Sequence, residues 1–430
     1  MQSIRRLGQR CPRRALARSP GGGFACGSSH CYTPYFTMYA LGSPSWDEAF
    51  VKLTSLHASS FRCLRDVTVS LRDLNVFIGA NASGKSAILD ALRFLHQGVL
   101  DRDFQPAVSR SRGGIVNVAW KGDPADEVAL TTTFEDREGT FHWLVRLKKE
   151  GYDFAVVQEG LTQQCGANAP SVCLEAERGK GRWWSGTERR YVSLELPVTG
   201  CAMAAAAADA GFPGRHVAQF VRRWAFFDPN PFVLRRGWSG FDGMSLDTWG
   251  RNLAERLYTL QKDRPDLFNT IVDATRAVLG LPTHLEVRRQ ADDAPAYLVQ
   301  GEPGLAYTVH QMGVSSGTLR VLALMTALFG EGEANLIGIE EPENHVHPGA
   351  LKALAGYLLE ARERMQILIT THSPLLLDYL NDPEAVYLVR YQPTLGTTVD
   401  CEPNPEAVRK ALEESGFTLG EFYQTTGFGG

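Results

Sequence analysis

The sequence lacks long apolar runs and paired cysteines. No run reaches the roughly 18 apolar residues that a membrane-crossing helix needs, and the alanine run 204–208 ends at Asp209. The eight cysteines are scattered without a Cys-x-x-Cys pair. This argues against a structural zinc site and favours a reducing compartment. We therefore expect a cytoplasmic protein with no membrane partner.

Acidic residues are missing from residues 1–46, which carry six arginines. The other 384 residues hold 38 basic and 48 acidic groups, a net charge of −10. Such an acidic body argues against a broad nucleic-acid-coating surface, although it leaves room for a local basic groove. We interpret residues 1–46 as a disordered tail or as translation assigned upstream of the true start. A transit-like leader is the alternative, because the segment is rich in arginine and free of acid.

Hydrophobic periodicity predicts an α/β protein with strands at both ends of the chain and helices between them. Strands are expected near 51–56, 67–71, 74–78, 115–120, 128–134, 140–147, 152–158, 190–196, 284–290, 296–300, 336–339, 366–369 and 385–390. The pattern is helical over 87–95, over 214–280 (clearest at 249–262 and 266–280), and near 318–328, 348–364 and 404–415.

The strongest motif is a glycine-rich loop between a predicted strand and a predicted helix. It satisfies the phosphate-binding loop pattern, in which successive backbone N–H groups and the helix N-terminus face the phosphates. We expect Lys85 to reach the β- and γ-phosphates of ATP and the Ser86 hydroxyl to bind Mg²⁺. The expected nucleotide-binding residues are Gly79, Ala80, Asn81, Ala82, Ser83, Gly84, Lys85, Ser86 and Ala87.

Two acids, Glu340 and Glu341, follow the apolar strand 336–339. Ligands of α/β sheets bind at the carboxyl ends of strands, so both acids are expected at the site. Glu340 suits a contact to Mg²⁺, direct or through water. Glu341 suits the general base that polarises the attacking water.

A histidine and a small-residue helix start complete the candidate site. His372 follows the strand 366–369 and is expected to hydrogen-bond the γ-phosphate or the attacking water. The segment Ser315, Ser316, Gly317 and Thr318 opens a helix able to take an anion. His345 and His347 suggest metal binding with nearby glutamates, a weak alternative because the phosphate loop already explains the acids.

The motif order resembles that of ABC-type ATPases, in the branch shared by SMC-like and RecF-like heads. A closer likeness is to stand-alone bacterial AAA/ABC-type ATPases, through 314–324, 339–348 and 370–374 and through further similarity at 250–257 and 418–430. The resemblance implies that Ser315–Thr318 is a signature motif contacting the nucleotide of a second subunit. It also implies that 343–347 is the D-loop and His372 the switch histidine. Ser316 and His345 depart from the family pattern, and the Q-loop glutamine stays open among Gln97, Gln105 and Gln158.

The resemblance implies a P-loop NTPase of ABC-ATPase type, with a mixed core sheet, an antiparallel β lobe and a helical lobe. We expect a head over 47–430: a P-loop half (about 47–200), a helical insertion (about 209–282) and a second half (about 283–430). It would be an ATP hydrolase that forms an ATP-dependent homodimer and acts in DNA repair, DNA maintenance or genome defence.

The alternative is an ATPase regulating a separate nuclease or toxin without binding DNA. No appended nuclease domain is expected, so such a partner would act in trans. A nucleotide-binding module without catalysis and a transporter ATPase are disfavoured, the first by the intact acids and His372, the second by the long insertion.

Overall fold

The computed structural model describes residues 51–120, 127–151, 153–166, 169, 171–237, 245–280, 284–291, 294–330, 334–401 and 405–426. The predicted leader over 1–46 lies outside these residues. No helix in the described ranges is both long enough and apolar enough to cross a bilayer.

A six-stranded mixed sheet forms the centre of the fold. Its strands, in chain order, are β3 (Leu74–Ile78), β10 (Trp224–Phe227), β14 (Leu336–Glu340), β15 (Gln366–Thr371), β16 (Val386–Gln392) and β17 (Gly396–Cys401). They lie in the order β10, β14, β15, β3, β16 and β17, and all neighbours are parallel except β16 and β17. Every residue of β3 and β15 is buried, as expected for parallel strands covered on both faces.

An eight-stranded antiparallel sheet makes up the β lobe. Its strands are β1 (Lys52–Phe61), β2 (Leu64–Ser70), β4 (Val128–Glu135), β5 (Thr140–Glu150), β6 (Asp153–Gln164), β7 (Ser171–Glu177), β8 (Lys180–Ser185) and β9 (Arg190–Glu195). Apart from β2, which pairs outside β1, the strands follow chain order as a meander from β1 and β4 to β9. A third, three-stranded sheet contains β11 (His284–Arg288), β12 (Tyr297–Gly301) and β13 (Val309–His310).

The described helices lie between these strands and after the last of them. They are α1 (Lys85–Asp101), α2 (Gln105–Arg112), α3 (Ala202–Ala206), α4 (Arg215–Arg222), α5 (Pro231–Arg236), α6 (Leu253–Asp263), α7 (Pro265–Leu279), α8 (Ser316–Met325), α9 (Leu351–Ala361), α10 (Pro374–Leu380), α11 (Pro405–Ser415) and α12 (Leu419–Thr426). A π-helical turn, Thr326–Gly330, continues α8.

The side chains of the central sheet alternate between two hydrophobic cores. Phe77 and Leu368 pack into the core shared with α1 and the β lobe. Val76 and Ile369, their neighbours in sequence, pack into the second core with helices α6 to α10. Because successive residues of a strand point to opposite faces, one short apolar strand serves both cores.

A glutamine side chain joins the two large sheets. The Gln366 side-chain oxygen accepts from the Leu53 N–H at 2.9 Å, and its Nε2 donates to the Leu53 carbonyl oxygen at 2.9 Å. The buried amide therefore pairs with β1 as a neighbouring peptide group would. This satisfies polar groups that burial would otherwise leave unpaired.

The expected fold class, a mixed core sheet with an antiparallel β lobe and a helical lobe, is confirmed. The strand predicted over 115–120 is wrong. Residues Ile115–Asn117 form a 3₁₀ turn, and Ala119 makes only an isolated bridge to Phe61. Strands β7, β8, β10, β13 and β17 were not predicted.

Candidate functional site

The glycine-rich loop 79–84 connects the end of β3 to the start of α1. Inside it, the Lys85 ammonium donates to the carbonyl oxygens of Gly79 and Ala80, both at 2.9 Å. Burial lowers the pKa of Lys85, and the negative charges of Glu341, then of two other glutamates, partly offset this. The ammonium is therefore held within the loop by carbonyls that a phosphate oxygen can replace.

Close packing explains two of the glycines of this loop. Gly84 has φ +109°, and a Cβ atom there would lie 2.2 Å from the Thr397 hydroxyl oxygen. The same hydroxyl donates to the Ser83 carbonyl oxygen at 2.9 Å, fixing the loop against β17. A Cβ atom on Gly79 would lie 2.0 Å from the Val389 carbonyl oxygen. Both positions therefore require glycine on steric grounds.

Glu340 ends β14 beside an arginine from α1. An Arg93 terminal nitrogen donates to Glu340 Oε1 at 2.9 Å, and both side chains are largely buried. Ser86, in the first turn of α1, is exposed. A hydroxyl and a carboxylate are hard oxygen donors of the kind that Mg²⁺ prefers. Arg93 was not identified from the sequence, because its partner lies far away along the chain.

The next residue, Glu341, contacts His372 and Asn344. Its Oε1 lies 3.2 Å from His372 Nε2, and its Oε2 accepts from the Asn344 side chain. Its backbone N–H donates to the Thr370 carbonyl oxygen at 2.9 Å. Glu341 has φ +45°, a left-handed conformation that costs free energy in a residue with a side chain. The surrounding hydrogen bonds hold the carboxylate in this conformation, next to the histidine.

A third glutamate adds negative charge at the same edge. Glu343 Oε1 accepts from the Thr371 hydroxyl at 2.6 Å and from the His372 N–H at 2.9 Å. Its Oε2 is buried without a hydrogen-bond partner. An orphaned carboxylate oxygen beside Glu340 and Glu341 makes this edge suited to a divalent cation. The residues present therefore fit Mg²⁺, which would be held through Ser86 and Glu340.

Arg320, on α8, binds the backbone of both acids. Its guanidinium donates to the carbonyl oxygens of Glu340 at 2.9 Å, of Glu341 at 2.8 Å, and of Pro229. Only 3% of this side chain is exposed, and burial lowers the pKa of Arg320 while nearby acids, Asp228 first, raise it. The buried guanidinium thus links α8 directly to the end of β14.

Burial raises the pKa of the Asp228 carboxyl, and the charge of Glu340 raises it further. Asp228 follows β10, so four strand ends, those of β3, β10, β14 and β15, supply polar groups to one region.

The expected signature segment, Ser315–Thr318, begins α8. Ser315 Oγ accepts from the Thr318 N–H at 3.0 Å and caps the helix. Arg235 donates to the Ser316 hydroxyl at 2.8 Å. A Cβ atom on Gly317 would lie 2.7 Å from the His345 carbonyl oxygen, so this segment packs against 343–347. Ser315 itself is exposed.

The structure brings the phosphate loop, the glutamate pair and His372 together at one sheet edge. Arg93, Arg235, Arg320 and Thr397 join them and were not predicted. Gln97 lies on α1 and donates to Ser111, whereas Gln105 begins α2 and Gln158 lies within β6. The Q-loop assignment therefore remains open.

The alternative metal site at His345 and His347 finds no support in the described ranges. These histidines and the nearby glutamates do not form a converging set of three ligand atoms there. His347 Nδ1 instead accepts from the Gly349 N–H at 3.1 Å, and His345 has φ +63°.

Two protein-family models match separate parts of the chain. The model described as "AAA ATPase domain" matches residues 52–150. The model described as "AAA domain, putative AbiEii toxin, Type IV TA system" matches residues 215–378. The first range contains the phosphate loop, and the second contains the signature segment, the glutamate pair and His372.

One curated relative and one solved structure extend the comparison. An OLD nuclease of Thermus scotoductus is 25% identical over 364 residues, which cover 79% of this chain and 62% of the relative. The chain thus spans about three fifths of the length of that relative. A crystal structure of the SMC head bound to the C-winged helix domain of ScpA aligns with a TM-score of 0.51 and 13% identity. That alignment covers 83% of this chain and 99% of the head.

The chain therefore has the P-loop fold of an SMC head, and AAA-type ATPase models match both parts of the chain that carry the motifs of the site. The resemblance stated from the sequence motifs is confirmed at this level.

We predict that Gly84→Ala abolishes ATP binding and lowers the free energy of unfolding by about 2 kcal/mol or more. The added methyl would meet Thr397, and φ +109° disfavours any side chain. Binding of a fluorescent ATP analogue and urea unfolding measure the two effects.

Gly356→Ala is the matched control. It lies within α9, and its added Cβ would meet no heavy atom within 4 Å. Alanine there should stabilise the protein slightly and leave ATP binding unchanged. Equal ATP binding by the two variants would contradict the steric explanation.

Proposed function

We propose that this protein is an ATP-driven molecular switch whose two copies join face to face on Mg-ATP and separate after hydrolysis. The observation that carries the proposal is the meeting of Lys85, Glu340, Glu341 and His372 at one sheet edge. Each supplies a different requirement of phosphoryl transfer: phosphate binding, metal binding, activation of water and contact to the γ-phosphate.

Binding would begin at the loop 79–84. The N–H groups of the loop and of the first turn of α1 would face the phosphates, with the helix dipole favouring the negative charge. The Lys85 ammonium would leave the carbonyls of Gly79 and Ala80 for phosphate oxygens. Ser86 and Glu340 would hold Mg²⁺, which when bound neutralises charge on the phosphates. Arg93 would then give up or share its contact with Glu340.

Hydrolysis would use Glu341 as the general base for the attacking water. His372, 3.2 Å from the Glu341 carboxylate, would orient that carboxylate and donate to the γ-phosphate region. The contact to Asn344 would limit rotation of the same carboxylate. The site is therefore arranged to act on a water molecule placed beyond the terminal phosphate.

Dimerisation would complete each site. The start of α8, Ser315–Thr318, would approach the nucleotide bound by the other copy and offer its N–H groups and hydroxyls. Arg320 would transmit this contact, because its guanidinium joins α8 to the carbonyls of Glu340 and Glu341. Occupancy of the partner site would thus alter the position of the base.

DNA is the proposed target of the switch, in repair, maintenance or genome defence. The relative named as a nuclease supports this. A protein partner is the second candidate, favoured by the family description that mentions a toxin system. In either case the segment over 214–280, which is helical apart from strand β10 of the central sheet, would convey the ATP cycle to the partner.

We predict that Glu341→Gln binds ATP, slows turnover at least about 100-fold and accumulates as a dimer in Mg-ATP. Without a base the dimer has no route to separation. Lys85→Ala should stay monomeric, because it loses the phosphate contact. Light scattering after size exclusion and a phosphate-release assay measure both properties.

Glu360→Gln, an exposed change on α9, is the matched control and should behave as the wild type. Rapid turnover by Glu341→Gln would refute the base assignment. Failure of that variant to dimerise in ATP would refute the face-to-face switch.

A mixing experiment tests the signature segment. Lys85→Ala keeps an intact signature, and Gly317→Asp keeps an intact phosphate loop. Mixing equal amounts should restore ATP hydrolysis, since a dimer of one copy of each variant holds one complete site and one ATP to join it. Each variant alone should be inactive. Gly317→Asp must still bind ATP, which shows that it is folded, and no recovery on mixing would argue against a shared site.

Linear duplex DNA should raise the steady-state rate of ATP hydrolysis, with Lys85→Ala as the blank. The stimulation should weaken as salt rises, because phosphate contacts release counterions. A rate unchanged by DNA would contradict the DNA target and favour the protein partner, to be identified by co-purification from the native host.

A further inference from the structure

The turn between β4 and β5 contacts α4, and both segments lie outside the phosphate loop. Two buried polar atoms face each other at this contact. Asp136 Oδ1 accepts from the N–H groups of Glu138 at 2.7 Å and Gly139 at 2.9 Å. These bonds close the turn and fix the carboxylate. The second oxygen, Oδ2, consequently points towards His216 on α4.

The two facing atoms, Asp136 Oδ2 and His216 Nε2, are 2.5 Å apart. Both atoms are buried and lie at ion-pair distance, but neither makes a hydrogen bond of good geometry, with the other or with any described group. The Asp136 side chain is only 1% exposed. A buried carboxylate oxygen and a buried ring nitrogen without a well-formed hydrogen bond are costly, and a cation bound between them would satisfy both.

A second carboxylate lies within reach of this pair. Ligand atoms of Asp136, Glu138 and His216 all fall within 4.8 Å of one another. The edge of the Phe141 ring contacts the His216 imidazole, with centroids 5.0 Å apart, and limits its rotation. The Glu138 side chain is exposed and can turn inwards. Two ligands are therefore fixed, and the third can close on an ion.

The geometry points to a binding site for one divalent first-row transition ion, of the Zn²⁺ class, held by Asp136, Glu138 and His216. An imidazole nitrogen with two carboxylates suits such an ion and disfavours Mg²⁺. Bonds of about 2.0–2.1 Å place neighbouring ligands about 3.3 Å apart in a tetrahedron, so the facing pair would open by less than about 1 Å. The fourth position would take water.

A bound ion at this position would connect two parts of the fold. Helix α4 ends beside α1, where the Val221 carbonyl oxygen contacts His96 Nδ1 at 2.8 Å. The chain then enters β10, which pairs with β14, the strand that ends in Glu340. A bound ion would therefore fasten the β lobe to the segment that lies against the catalytic edge.

Cobalt titration of the full chain, stripped with chelator and free of nucleotide, tests the site. We expect one Co²⁺ per chain with visible absorption typical of nitrogen and oxygen ligands, displaced by Zn²⁺. His216→Asn and Asp136→Asn should weaken Co²⁺ binding at least about tenfold. The amide introduced by Asp136→Asn keeps an oxygen to close the turn, so that variant should fold. Zn²⁺ should raise the melting temperature of the wild type but not of His216→Asn or Asp136→Asn.

Glu138→Gln is the most informative variant, since its side chain is exposed and its loss leaves the fold intact. Glu135→Gln, an exposed acid at the end of β4, is the matched control. Glu340→Gln should bind Co²⁺ as the wild type does, which separates this site from the ATP site. Equal Co²⁺ affinity in Glu138→Gln and Glu135→Gln, or no stoichiometric binding at all, would overturn the inference.

Discussion

The parallel alignment of β14, β15 and β3 is the constraint on which the candidate site depends. Glu340 pairs in register with Thr370, and Thr371 pairs with Ile78, the last residue before the glycine-rich loop. Three segments therefore end at one edge, although β3 lies more than 250 residues before β14 and β15 in the chain. This arrangement brings several carboxylates close together, and they repel one another when all are ionised. Arg93 and Arg320 offset that repulsion, one at a side chain and the other at backbone carbonyls.

The same edge stores conformational strain. Glu341 and His345 both have positive φ, within a loop of five residues. Residues with side chains adopt this conformation only where surrounding contacts enforce it. Here the contacts are those of Glu341 to His372 and of the His345 carbonyl to Gly317. The loop is thus fixed at one end by the catalytic histidine candidate and at the other by the start of α8. A movement of His372 would therefore be transmitted through the loop to the start of α8, and the reverse.

Local pattern predicted much of the fold. Strands β3, β14 and β15 were predicted because each is an apolar run followed by a polar turn. The phosphate loop was predicted because the backbone of such a loop requires glycines at a fixed spacing. Strand β10 was missed because Trp224–Phe227 is only four residues long and lies among helical patterns. The strand expected over 115–120 fails because Gly113 and Gly114 have positive φ, and the Asn117 side chain donates to the Arg112 carbonyl oxygen at 2.9 Å. These groups close a turn that alternation alone does not reveal.

Candidate residues that act through distant partners could not be predicted in the same way. Arg93 contacts a carboxylate 247 positions later, and Thr397 contacts the Ser83 carbonyl oxygen 314 positions earlier. Such pairs depend on which strands become neighbours, and no local spacing encodes that.

The order of strands in the central sheet has a further consequence for synthesis on the ribosome. Strand β3 lies between β15 and β16, so about 290 residues emerge between this strand and its first neighbour. At 5–20 residues per second the wait is about 15–60 s, during which the β lobe is already fully synthesised. Strand β3, which is apolar except for Asn75, must therefore wait without its sheet neighbours beside a folding lobe until β15 has been made.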